Sequence, residues 1–252
     1  MALSDTFEVV RASLDGLADQ ETDCIPHMAA VSLWRLHATG RDVPQPVTCE
    51  VLRRCLTHLG LQVEVVPVVV RIWRRDADLP MAEYGSGATG GAADDGYFLL
   101  VLPGLDRAVD AHLPELPSIA GSELEDWFLQ SPFGPLQWDS PFGVNRFDRI
   151  VEYHPVPGRQ RDQWKAMRPR EVDLERLAVS LLAEVIDVLR WRDVWQRLER
   201  ERWPRLTAMM RAVADARLVQ TGDDGPAFVY PGGRTAGISA ILESSGEWPI
   251  AS

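Results

Sequence analysis

Three cysteines, Cys24, Cys49 and Cys55, and five histidines, His27, His37, His58, His112 and His154, are the side chains with which this 252-residue chain could run nucleophilic or acid–base chemistry. Cys24 has the most suggestive setting. In ETDCIPHMAAVSLWRL it falls in the first turn of an expected helix, where the positive end of the helix dipole lowers a thiol pKa and raises its thiolate content. His27, three residues on, projects toward the same helix face. Asp110, in LDRAVDAHLPEL, could orient a base, and His112 shares its strand face and could be that base. Each has a plainer reading, since a lone cysteine is most often a core thiol, Asp110 could close a turn and His112 could be a surface histidine beside Pro114.

Cys24-His27 and Cys55-His58 repeat a C-x-x-H spacing, but their separation fits no common zinc pattern, and no metal or cofactor is expected. GSGATGGAADDG, residues 85–96, matches neither a phosphate-binding loop nor a dinucleotide fingerprint, so it reads as a mobile loop at a cleft edge.

Positioning these residues requires a definite order of elements. Thr22 to Gly40 reads as a helix with Asp23 as N-cap and Pro26 in the first turn. Thr48 to Leu59 reads as a second helix stopped by Gly60. Val65 to Ile72 is a nearly unbroken apolar run, expected to be a central strand buried on both faces. Tyr97 to Leu102 and Arg107 to Leu113 flank a turn at Pro103-Gly104 and should pair as a hairpin. Residues 127–157, dense in proline and aromatics, suit irregular segments wrapping the core. Glu171 to Trp203 has a helical period broken by Pro204, with Trp191, Trp195 and Trp203 on one stripe. A helix from Arg205 to Val219 and a last strand, Ala227 to Tyr230, complete the chain.

This order resembles that of the transglutaminase-like branch of the papain-type cysteine enzymes over about residues 20 to 116. The resemblance implies an α+β fold, with helices packed on an antiparallel sheet in residues 1–157 and a helical part in residues 158–252. It implies Cys24 as nucleophile and Asp110 as orienter; His27 and His112 are further catalytic candidates by their spacing, and Tyr97 and Trp34 are substrate-binding candidates. Where that family has Gly-His ahead of an apolar strand, this chain has Gly96-Tyr97, so the base position carries a phenol. The segment FLLVLPGLDRAVD is also similar to arylamine N-acetyltransferases, but the Arg-Gly-Gly lead-in to their cysteine is missing.

At 46% hydrophobic residues the chain can bury a core without staples, and a formal charge of −11 argues against a broad nucleic-acid or anionic-membrane surface. No signal peptide or long apolar span is visible, which suggests a cytoplasmic protein with free thiols. Twenty-five of the 26 basic residues are arginine, a skew expected of a GC-rich bacterial genome. Two functions follow as expectations. One is cysteine acyl transfer at an amide or thioester of a small-molecule or peptide substrate; the other is a catalytically silent binding or scaffold protein with a protein partner.

Overall fold

The apolar run after residue 63 forms β1, Glu64–Arg74, in the computed structural model, which describes residues 10–11, 14, 23–38, 41, 43–85, 96–119, 131–132, 140–146, 148–156, 171–198, 203–220 and 225–244. The strands that follow are β2 (Ala82–Tyr84), β3 (Tyr97–Leu102), β4 (Arg107–Val109), β5 (Ser131–Pro132), β6 (Phe142–Arg146) and β7 (Arg149–Pro155). They form one antiparallel sheet of order β5-β4-β3-β1-β7-β6, with β2 pairing the far end of β1. As expected, β1 is central: Glu64 to Val68 pairs with β3, and Val68 to Arg74 pairs with β7 on the opposite edge.

Its burial corrects the expectation of two covered faces. Val66, Val68, Val70 and Ile72 are buried, whereas Val65, Val69, Arg71 and Trp73 are partly exposed. The buried face continues through Tyr97, Leu99 and Val101 of β3 and Val151 and Tyr153 of β7, because opposite residues in antiparallel strands share a face. Burying these side chains supplies most of the sheet's stability, at roughly 25 cal/mol per Å² of apolar surface removed from water.

The β3–β4 hairpin forms as expected, with a tight turn at Pro103–Leu105 and Asp106 in the left-handed region at φ 51°, but its second strand ends at Val109 instead of Leu113, which starts a helical turn. The β6–β7 hairpin was missed: residues 142–146 and 149–155 are ladder-paired, not irregular. Residues 127–130, 133–139, 147 and 157 of that aromatic stretch, and residues 86–95 of the glycine-rich loop, lie outside the described residues.

The sheet belongs to a unit made of residues 43–50 and 63–169; residues 1–42, 51–62 and 170–252 make a second. The junction expected near residues 158–170 lies outside the described residues, and the first helix and the end of the second group with residues 170–252. The helices are α1 (Ile25–Ala38), α2 (Gln45–His58), α3 (Glu171–Leu189), α4 (Arg192–Arg197), α5 (Pro204–Ala212) and α6 (Ile238–Ser244). The chain runs from one unit to the other within α2. That helix starts three residues before its expected beginning, because Pro46 in the first turn needs no N–H partner. It ends as expected: Gly60, at φ 97°, lets the Leu61 N–H reach the Leu56 carbonyl at 3.1 Å.

The C-terminal helix reading needs three corrections. The run expected to reach Trp203 is interrupted after Leu189, and α4 begins after Trp191, whose backbone is extended. Pro204 opens α5 instead of ending a helix, as its fixed φ permits. The expected helix to Val219 stops at Ala212, and Arg217–Gln220 is β8, which pairs with β9 (Pro226–Val229), itself paired with β10 (Thr235–Gly237). The tryptophan stripe therefore dissolves: Trp191 is 48% exposed and Trp203 is buried ahead of α5. The buried stripe of α3 is Leu174, Ala178, Leu181, Leu182, Val185, Ile186 and Leu189.

Candidate functional site

Asp110 is the residue around which the sheet unit concentrates its buried polar chemistry. It follows β4 on the same face as Ala108, Val101 and Leu99, so its carboxylate points into the apolar face of the sheet and is fully buried. Tyr97 stands opposite Val68, and Tyr153 stands opposite Val70 on the other side of β1. Val68 and Val70 lie on one face, so the two phenols converge from both sides of the central strand.

The Tyr97 hydroxyl donates at 2.8 Å to both carboxylate oxygens of Asp110, and the Tyr153 hydroxyl donates to Oδ2 at 2.9 Å. Oδ1 also accepts the backbone N–H groups of His112 at 3.0 Å and Leu113 at 2.9 Å. This local turn is one that aspartate makes readily, and it starts the short helical turn Leu113–Glu115. A second aromatic backs each phenol: Phe142 stacks on Tyr153 at 5.1 Å, and Tyr84 lies tilted 6.5 Å from Tyr97.

Burial pushes the Asp110 carboxyl above its usual range, and the two phenol donors and His112 hold it back. Burial, then the Asp110 charge, pushes both tyrosines well above the ordinary phenol value. Neither phenol can give up its proton near neutrality, so both act as donors.

The thiol coupled to this group is Cys49. Its Sγ lies 3.9 Å from the Phe98 carbonyl as a weak donor, and the Gln45 side-chain amide makes a reciprocal pair of 3.3 Å bonds with the Phe98 backbone. Burial first, then the charges of Asp110 and Glu50, push the Cys49 thiol far up. Cys49 is the fifth residue of α2, past the first turn in which the helix dipole acts most strongly. It is a neutral thiol.

His112 lies beyond the end of β4, not on it. Its ring Nδ1 is 2.9 Å from Glu115 Oε2, and its Nε2 is buried with no hydrogen-bond partner among the described residues. It is therefore not a surface histidine, and it binds Asp110 through its backbone, not its ring.

Cys24, His27 and Trp34 lie in the helical unit, all buried, with Cys24 in a short turn leading into α1 and its Sγ 3.6 Å from Asp23 Oδ1. Cys55 is buried there too, its thiol pushed up by burial and then by the Glu184 charge. His58 Nε2 lies 2.7 Å from Glu175 Oε1, and among the described residues no group of three potential ligands could hold a metal. None of the three cysteines is in a disulfide.

Sequence reasoning paired Tyr97 with Asp110 but missed Tyr153 and Cys49. The alternation in RIVEYHP, residues 149–155, marks Val151 and Tyr153 as inward-facing, and that period was hidden by the surrounding prolines and aromatics. No protein-family model, curated protein or solved structure matches the chain. Among the described residues no helix is long and apolar enough to cross a membrane.

Proposed function

We propose that the chain is a transglutaminase-like binding or scaffold protein whose cysteine site is catalytically silent. One observation carries this reading: the Asp110 carboxylate is committed to two phenols and two backbone N–H groups, with Cys49 beside it as a neutral thiol. Cysteine acyl transfer needs a base whose pKa lies near the working pH and a thiol that yields its proton. Tyr97 does not supply that pKa: its hydroxyl hydrogen is held toward Asp110, and its own ionisation is pushed well above the ordinary phenol value. The electrostatic coupling of Cys49, Tyr97 and Asp110 favours Cys49 over Cys24 as the thiol of the degenerate site. A peptide or protein partner in the cytoplasm fits such a module.

Acyl transfer at an amide or thioester through a covalent acyl-enzyme is the second reading. It is favoured by the pairing of His112 with Glu115, an acid-oriented imidazole whose Nε2 is buried. Incubation with an activated acyl ester, followed by intact-mass analysis, separates the two. The silent reading expects an unchanged mass, and a stoichiometric acyl adduct on any cysteine would overturn it.

A further inference from the structure

Helix α3 is fastened within the helical unit by two acidic side chains with different partners. Glu175, near its start, accepts from Arg54 Nη1 at 2.7 Å and lies 2.7 Å from His58 Nε2, so one of its partners keeps its charge at every physiological pH. Glu184, nearer its end, is 2.7 Å from His37 Nε2 at the end of α1, and among the described residues His37 is its one hydrogen-bond partner. The Glu184 side chain is only 17% exposed, so its carboxylate depends on that contact more than a surface carboxylate would.

The charges around this contact come from every helix near it. Arg41, following α1, opposes protonation of His37, while the Glu184 charge acts on Cys55 of α2 and on Asp187 of α3, which pairs with Arg190 at 2.5 Å. When His37 is protonated, Glu184 sits in an ion pair. When His37 is neutral, Glu184 keeps a neutral hydrogen bond at best, next to Asp187.

We propose that His37 and Glu184 form a pH-sensitive latch that holds the last turns of α3 on α1 and loosens as the pH rises. The hydrogen bond that His37 donates to the Glu184 carboxylate, opposed by burial and by Arg41, raises the His37 pKa in the folded chain. The latch is therefore fully closed below about 6.5, the ordinary histidine value, and is lost as the pH rises through the raised one. His37 is 44% exposed, so solvent screens the pair and the effect is modest.

Hydrogen exchange of the peptide spanning Glu184 to Leu189, from about pH 6 to about 8.5 and corrected for intrinsic rate, tests this directly. Protection should fall by about threefold across that window in the natural chain and in His58→Gln. In His37→Gln the fall should vanish. Constant protection in the natural chain, or the same fall in His37→Gln, would overturn the latch. Histidine-ring resonances give a second reading: Glu184→Gln should lower the His37 titration midpoint, and an unmoved midpoint would contradict the pairing.

Discussion

Tyr97 and Asp110, thirteen residues apart in the chain, are joined by one phenolic hydroxyl that lies 2.8 Å from both carboxylate oxygens. In the transglutaminase-like reading proposed above, Tyr97 takes the place of the base and Asp110 that of its orienter. A phenol there keeps the contact with the acid but holds its proton on its own oxygen, so it cannot take one from a thiol near neutral pH.

Removing the carboxylate charge should be costly. Asp110→Asn turns one acceptor oxygen into a donor amide among four donors, so we expect a loss of about 3 kcal/mol in urea unfolding near neutral pH. Because burial raises the Asp110 pKa in the folded state, the folded chain holds this proton more tightly than the unfolded one. Its contribution to stability declines as the pH rises from about 3.9 through the raised value. Asp110→Asn cannot titrate, and the difference between the two stability profiles should show that decline in the natural chain alone.

The two phenols should be coupled. Tyr97→Phe and Tyr153→Phe should each cost about 2 kcal/mol, because each leaves a buried carboxylate short of a donor. The double variant should depart from additivity by at least about 0.5 kcal/mol, since both hydroxyls serve Oδ2. Additive losses in a thermodynamic cycle would mean that the two bonds are independent.

Glycines on either side of residues 86–95 differ in what an added methyl would meet. At Gly85, φ is 80° and a Cβ would lie 2.6 Å from the Val68 carbonyl oxygen, which is fixed in the sheet. At Gly96 the obstacle is the Phe98 ring, 2.8 Å away, which can move. Gly85→Ala should therefore cost about 3 kcal/mol and Gly96→Ala about 1 kcal/mol in thermal or urea unfolding.

The pattern of success in reading the sequence has a physical basis. The β3–β4 hairpin was legible because Pro103-Gly104 separates two apolar runs, and the end of α2 because Gly60 takes a left-handed turn. The seven-residue pairing of β7 with β1 was not, since proline and aromatic density around it masked a period-two signal. In the C-terminal part, helical spacing continued through Leu189 to Trp203 although the backbone breaks at Trp191. Periodicity reports which positions are apolar, not where a helix stops without a glycine to end it. Pro204 was taken as a breaker because proline's two roles, ending one helix and opening the next, look alike in sequence. Tyr97 was found by its place before an apolar strand; Tyr153 and Cys49 join it only through tertiary packing.

The proposed silence of the cysteine site can be measured at the thiols themselves, by alkylating the folded protein with iodoacetamide from about pH 6 to about 9.5 and quantifying each cysteine by mass spectrometry. We predict that Cys24, Cys49 and Cys55 stay unmodified across that range and react only after denaturation. Tyr97→His, which replaces the phenol electrostatically coupled to Cys49 by an imidazole, should make Cys49 reactive in the folded chain. Alkylation of Cys24 or Cys49 in the natural folded protein, with a midpoint well below about 8.5, would contradict the account.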